Sequence, residues 1–112
     1  MKLFQGDIVI VKFPFSNQED SKVRPAIVVS NSKINKTDDV ILAAITSQYK
    51  NDEFSFLLKN DFLTKPLHRD DCEVRCHNLF TADKSAIAKK ISSLKSDRHF
   101  ELSQKIISGI NV

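Results

Sequence analysis

The sequence predicts a small α+β protein that is mainly β, a barrel of five or six short strands followed by a C-terminal helix. Short apolar runs recur as far as Leu94 and are separated by polar or turn-forming residues, the pattern of a compact β domain. Two of these runs do not alternate with polar residues, so we expect both faces of each strand to be buried. The length fits a single domain over residues 1–112.

Composition excludes several classes of protein. The chain is 41% hydrophobic and 28% charged, and its net charge of +3 permits a polyanionic partner without requiring one. The sequence has no apolar run near the roughly 20 residues that span a bilayer, and its first residues lack the layout of a signal peptide. We therefore expect a cytoplasmic protein with no membrane association.

The first strand is predicted at residues 8–13, because four β-branched residues follow a turn at Gly6-Asp7. Pro14 should end its pairing. Residues 15–24 are polar and too numerous for a tight hairpin, so they predict a mobile loop that could act as a binding flap.

Five further strands are predicted after the loop. They cover residues 26–30, 40–45, 54–58, 72–76 and, as a last short strand, 91–94. The polar stretch 31–39 could hold a turn or a short helix. In the strand at residues 72–76, Glu73 and Arg75 should lie on one face.

Residues 84–90 predict a brief helical turn, and an amphipathic helix follows the last strand. Ser96 is a good N-cap and Gly109 marks the helix end. We expect this helix to pack on the barrel through four apolar residues near helical spacing, Phe100, Ile106, Ile107 and Ile110.

Arg24 and Thr46 are the candidate reactive residues. Arg24 begins one predicted strand, beside Pro25, and Thr46-Ser47 follows the end of another. A guanidinium donates a planar fork of hydrogen bonds, so paired with a hydroxyl it suits a phosphate. Each motif also has a purely structural interpretation, since pre-proline residues often lie in loops and Thr-Ser steps often form local turns.

A zinc site is the other chemistry considered, because His68, Cys72, Cys76 and His77 cluster in sequence. In an extended strand the two cysteines would lie about 13 Å apart, too far to share an ion or to form a disulfide. The sequence therefore predicts no metal and no cofactor. Only a helical segment at residues 68–77 would bring these side chains close enough for a zinc site.

A family resemblance adds to this interpretation. The order of short motifs resembles the PemK-like branch of the MazF/PemK toxins, the toxin halves of bacterial type II toxin–antitoxin pairs. The motifs are GDIVIV from residue 6, FPF from 13, RPAIVVS from 24, ITSQ from 45, VRC from 74, TADKS from 81 and ISSL from 91.

The resemblance implies an SH3-like or CcdB-like barrel with a C-terminal helix, assembled as a homodimer. It implies an endoribonuclease that cuts single-stranded mRNA at short sequences without a metal, with Arg24 and Thr46 carrying catalysis. It also implies a cognate antitoxin whose acidic, disordered tail fills the RNA groove, and binding to operator DNA only together with that antitoxin.

RNA contacts are predicted around these two residues. The candidates are Phe15, Lys22, Ser47, Gln48, Arg75 and Asn78. Phe13 and Phe15 could stack on bases, and Lys12, Lys22, Lys50 and Arg75 could follow the phosphates. Histidine is the residue type suited to acid–base catalysis near neutrality, but His68 and His77 match no catalytic position of the family, and His99 should face solvent.

Two departures from the family pattern motivate an alternative function. The chain has His77-Asn78-Leu79-Phe80 where many members have Asp-Gln-Ile-Arg, and Ser92 where a glycine is usual. The alternative is a noncatalytic toxin or binding module on the same fold, either resembling the gyrase poisons or regulating DNA with its antitoxin.

Overall fold

The computed structural model describes residues 1–13 and 22–111. In this part of the chain the six strands are β1 (Asp7–Phe13), β2 (Lys22–Val28), β3 (Asp39–Thr46), β4 (Ser55–Leu58), β5 (Cys72–Asp83) and β6 (Ile87–Ser93). The α-helices are α1 (Ser32–Asn35) and α2 (His99–Ser108), with 3-10 turns at Asn60–Phe62, Lys84–Ala86 and Ser96–Arg98.

The strands form one antiparallel sheet in the order β4-β5-β3-β2-β1-β6. This architecture, with α2 at its end, confirms the predicted fold class. The sheet is not closed into a barrel, however, since the described parts of β4 and β6 do not pair with each other. An isolated bridge between Leu63 and Leu94 joins the chain after β4 to the end of β6.

Both faces of the sheet are covered, as the apolar runs predict. Ile8 and Ile27 belong to a larger cluster that includes Leu102 of α2. Val9 and Val11 belong to a second cluster on the other face. Side chains that alternate along β1 thus enter both cores, because successive residues of a strand point to opposite faces. The two clusters position the ends of β2 and β3, where the candidate site lies.

Several element boundaries differ from the prediction because strand pairing extends them. β2 begins at Lys22 rather than after Arg24, since Lys22 pairs with Phe13, and it ends at Val28. β5 continues to Asp83, which pairs with Asp39. Residues 87–90, expected in a helical turn, belong to β6 and pair with β1. The rest of the predicted loop, residues 15–21, lies outside the described residues.

The terminal helix is confirmed, but of its four expected anchors only Ile106 packs on the core, together with Leu102. Leu102 is buried and Ile106 packs on the larger cluster, whereas Phe100 is 74% exposed. Ile107 and Ile110 are also exposed. The expected N-cap at Ser96 is wrong, since Ser96 opens a 3-10 turn that precedes the helix. No helix in the described residues has the length and apolar character to cross a membrane.

The expectation that His99 faces solvent is also wrong. Its Nε2 lies 2.9 Å from the carbonyl oxygen of Leu94. A Cβ added to Gly6 would collide with this ring, and the φ of +94° at Gly6 is in the region that favours glycine. Gly6 also donates to Val28 and accepts from Leu94, each at 2.8 Å. The turn before β1 and the start of α2 are therefore packed together.

Candidate functional site

The candidate site lies where the ladder between β2 and β3 stops. The last pair is Ala26 with Ala44. In an antiparallel pair, each step back along one strand is matched by a step forward along the other. Two further steps of the same register would bring Arg24 opposite Thr46, beyond the end of the ladder, with both side chains on one face of the sheet.

Pro25 explains why the ladder stops there. The N–H of Val29, just after β2, donates to the carbonyl of Ile41 in β3 over 2.9 Å. Because alternate residues of a strand bond to the same neighbouring strand, the backbone groups of residues 25 and 27 also face β3. Pro25 occupies such a position and has no N–H to donate. The β2–β3 ladder consequently ends at Ala26 and Ala44, before it reaches Arg24 and Thr46.

The two side chains differ in their surroundings. Arg24 is exposed and pairs with Val11 on its β1 side. Thr46 is half-buried, and its Oγ1 accepts a hydrogen bond from the Gln48 N–H over 3.1 Å. The local turn expected for this motif is therefore present. The hydroxyl hydrogen of Thr46 is not used in that bond, so it can be donated to an oxygen of a ligand.

A third strand adds a carboxylate to the same row. Thr46 lies directly opposite Glu73 of β5. Glu73 is only 1% exposed, and it accepts hydrogen bonds from the backbone N–H groups of Lys50 (3.2 Å) and Asn51 (3.1 Å). The alternation of residues 72–76 predicts the face of Glu73 but not this role. The sequence signal for this role is an acidic residue placed between two core residues of a strand, Cys72 and Val74.

The remaining predicted RNA contacts are spread around this row. Ser47 and Gln48 are exposed in the turn after β3, and Lys22 is exposed at the start of β2. Asn78 is exposed on β5, within an irregularity of the β3–β5 register. Phe15 lies outside the described residues.

Arg75 is engaged with protein partners. Its guanidinium donates two hydrogen bonds to the carboxylate of Asp52, at 3.0 and 2.9 Å, and one to Ser55 Oγ at 2.9 Å. The hydrogen bond from Arg75 holds the pKa of the Asp52 carboxyl well below its usual range. The Arg75 side chain is 13% exposed. A phosphate would have to compete with Asp52 for it.

Comparison with known proteins identifies the family. A model of the PemK-like, MazF-like toxins of type II toxin–antitoxin systems matches residues 4–109. The chain belongs to this family. No curated protein matches the chain significantly by sequence comparison.

Solved structures resemble this PemK/MazF-like toxin in fold over nearly its full length. The MazE–MazF complex from Deinococcus radiodurans has a TM-score of 0.80 at 19% identity, covering 100% of this chain and 99% of that chain. An endoribonuclease in complex with its cognate antitoxin, from a Mycobacterial species, has a TM-score of 0.78 at 14% identity, covering 98% and 96%. The Mycobacterium tuberculosis toxin MazF-mt6 has a TM-score of 0.74 at 16% identity, covering 95% and 97%.

The two departures of this toxin from the family pattern are accommodated by packing. Phe80 is half-buried, lies opposite Leu42 and packs against the second core cluster. Ser92 is buried; its hydroxyl donates to the carbonyl of Lys65 over 2.7 Å and accepts from the Lys65 N–H over 3.2 Å. Both side chains thus contribute to the sheet and its connection to the segment after β4.

The cysteines and histidines of this toxin have separate surroundings. Cys72 and Cys76 are free thiols buried in the larger cluster, and burial raises the pKa of Cys76 to about 11. His77 is exposed and its ring lies 4.4 Å from that of Phe54. His68 is exposed in the segment before β5. Within residues 1–13 and 22–111, no three potential ligands among His, Cys, Asp and Glu converge on a metal position.

Proposed function

We propose that this toxin is an endoribonuclease that cuts single-stranded RNA at short sequences without a metal. The observation that supports the proposal is that the β2–β3 ladder ends at Ala26 and Ala44, two residues before Arg24 and Thr46. If the strands keep this register and their usual spacing of about 5 Å, a guanidinium and a hydroxyl would lie within reach of one phosphate group.

The proposed reaction uses the substrate's own 2′-OH as nucleophile. Its oxygen attacks the adjacent phosphorus as it loses its proton, and the bond to the 5′-oxygen breaks as that oxygen gains a proton. The products are a 2′,3′-cyclic phosphate and a 5′-OH end. Negative charge grows on the phosphoryl oxygens during the attack, so fixed donors aimed at those oxygens lower the barrier.

Arg24 suits the stabilising role, because its charge is permanent and its fork can bind two phosphoryl oxygens. Thr46 and Ser47 would donate hydrogen bonds to a nonbridging oxygen or orient the 2′-OH. A guanidinium is a poor general base, so the base is a different group. Holding the 2′-OH in line with the scissile bond would supply much of the acceleration.

The proposed RNA path runs from this pair along the exposed polar residues around it. Lys22 would contact phosphates, while Gln48 and Asn78 would hydrogen-bond to base edges. Phe15 would stack on a splayed base. Arg75 would join the path only by exchanging Asp52 for a phosphate.

The proposed partners follow the family. Several solved relatives are complexes of MazF with MazE or of an endoribonuclease with its cognate antitoxin. We infer a homodimer and an antitoxin whose acidic, disordered tail occupies the RNA groove, with operator DNA bound only by the toxin–antitoxin complex. A net charge of +3 is compatible with an acidic partner.

The test is cleavage of a long single-stranded RNA in EDTA, with the ends mapped. We expect 2′,3′-cyclic phosphate and 5′-OH ends from wild type, and loss of cleavage in Arg24→Ala. Lys33→Ala is the matched control, because Lys33 is exposed on α1, at the opposite end of the β2–β3 pair. No cleavage by wild type, or equal cleavage by Arg24→Ala, would overturn the proposal. Growth arrest that survives Arg24→Ala would instead favour the noncatalytic binding module.

A further inference from the structure

Glu73 is a charged residue removed from water, and its partners lie in one short segment. Its carboxylate accepts from the N–H groups of Lys50 and Asn51, and Ser55 Oγ lies 2.9 Å from its Oε1. A buried carboxylate is stable when such donors satisfy its oxygens. Both backbone donors belong to the chain that follows Thr46, Ser47 and Gln48.

The segment bound by Glu73 is conformationally demanding. Asn51 has a φ of +48°, in the left-handed region that few residues other than glycine, asparagine and aspartate adopt. Its N–H is one of the two backbone groups that Glu73 holds. A backbone in this conformation persists where the surrounding contacts determine it.

Three further side chains close this segment onto β5. Ser55 Oγ accepts from the N–H of Asp52 over 3.1 Å and from Arg75 over 2.9 Å. Arg75 also binds Asp52 and lies 3.7 Å from Glu73. We call Asp52, Ser55, Glu73 and Arg75 the Glu73 network. It links both ends of residues 50–55 to the strand that pairs with Thr46.

We propose that Glu73 is a positioning residue for the reaction at Arg24 and Thr46, an inference that rests on the proposed function. Glu73 lies opposite Thr46 and anchors the turn that leaves it. It therefore sets where the hydroxyls of Thr46 and Ser47 sit relative to Arg24. Glu73 itself contacts neither RNA nor reacting atoms.

The first test compares Glu73→Gln with Glu53→Gln, a control at an exposed carboxylate in the same connection. Glu73→Gln replaces one carboxylate oxygen by an NH2 group, which cannot accept a hydrogen bond from the N–H of Lys50 or Asn51. The turn should therefore shift. Misplacement by about 1 Å can reduce a rate by about 100-fold, so we expect kcat per folded molecule to fall to that extent with KM little changed. Glu53→Gln should match wild type.

Two outcomes of this comparison would overturn the inference. One is an unchanged kcat in Glu73→Gln. The other is a loss that follows the melting temperature alone and disappears when the rate is divided by the folded fraction. If Glu73→Gln does not fold, Ser55→Ala takes its place, since it removes the hydroxyl shared by Glu73 and Arg75. A kcat unchanged in Ser55→Ala would equally overturn the inference.

The second test needs no variant. Amide hydrogen exchange of wild type should show the N–H groups of Lys50 and Asn51 protected like those of β3, because their acceptor is a buried carboxylate. Exchange as fast as in an unstructured loop would overturn the anchoring of this turn by Glu73.

The two proposals fail in different ways. RNA left intact by the wild-type toxin overturns the endoribonuclease assignment, and with it any catalytic role for the turn. RNA cleaved equally well by wild type and Glu73→Gln overturns only the positioning role of Glu73.

Discussion

Thr46 of β3 and Glu73 of β5 lie directly opposite each other in the sheet. The β2–β3 ladder ends at Ala26 and Ala44, and two more steps of its register would bring Arg24 opposite Thr46. The guanidinium, the hydroxyl and the carboxylate thus come from three different strands, β2, β3 and β5.

Arg24→Lys should lose most of the activity although it keeps the charge. Lysine is a point charge without the planar fork that binds two phosphoryl oxygens. Loss of one fixed donor to a developing charge lowers kcat by about 100-fold, and single-turnover cleavage of a short RNA would measure it. Wild-type rates in Arg24→Lys would contradict a bidentate role.

Asp52→Asn should test whether Arg75 can reach RNA. Removing the carboxylate charge frees a guanidinium now held at 2.9 Å, and each additional phosphate contact steepens the salt dependence of single-strand binding by about 0.7 in log–log slope. Binding of a noncleavable RNA over a range of salt concentrations measures this slope. Asp71→Asn is the control, because it breaks the exposed Arg69–Asp71 ion pair instead. Equal slopes in wild type and Asp52→Asn would exclude Arg75 from the RNA path.

The Arg75–Asp52 pair should be insensitive to pH near neutrality. Arg75 lowers the pKa of Asp52, so the stability due to this pair is present above the ordinary pKa of an aspartate and is lost only as pH falls below it. The urea midpoints of wild type and Asp52→Asn should therefore differ by a constant amount between pH 6 and 8, and should converge in acid. A difference that varied across the neutral range would contradict this assignment.

Cys76 should resist alkylation in the folded protein. Burial raises its pKa to about 11, so little thiolate exists at neutral pH. Because the pKa of Cys76 is higher in the folded than in the unfolded protein, its contribution to stability is present below the ordinary thiol pKa. This contribution is lost as the pH rises toward about 11. Iodoacetamide labelling followed by mass spectrometry should show modification of Cys76 in urea but not in native buffer. Fast native labelling of Cys76 would show that it is accessible.

Gly6→Ala should destabilise the fold, and Gly109→Ala should not. A Cβ at Gly6 would collide with the His99 ring. The backbone there also has a φ of +94°, which alanine adopts only with strain, and such strain costs about 1–3 kcal/mol. At Gly109 the added Cβ would lie 3.6 Å from its nearest neighbour, in a right-handed conformation that alanine adopts readily. Urea unfolding of both variants measures the contrast. Equal free energies of unfolding would contradict the packing of α2 against the turn before β1.

The local sequence was enough to predict the type of most elements. Unalternated β-branched runs predict strands buried on both faces, and residues of β1 do enter two separate cores. The polar stretch 31–39 does contain the short helix α1. Arg24 and Thr46 could be named as candidates because a guanidinium and a hydroxyl suit a phosphate and because both belong to motifs that resemble those of the family.

Strand pairing determined the bounds of the strands, which local sequence could not predict. The extension of β2 to Lys22 and of β5 to Asp83 depends on distant partners in β1 and β3. Packing between elements likewise decides three other features. In the described residues β4 and β6 do not pair with each other, Leu102 is buried rather than Phe100, and His99 contacts Leu94. The sequence by itself determined the strands, the terminal helix and the chemical types at the candidate site. The tertiary structure alone determined that Glu73 is buried beside Thr46, because its two backbone hydrogen-bond donors come from residues more than twenty positions away.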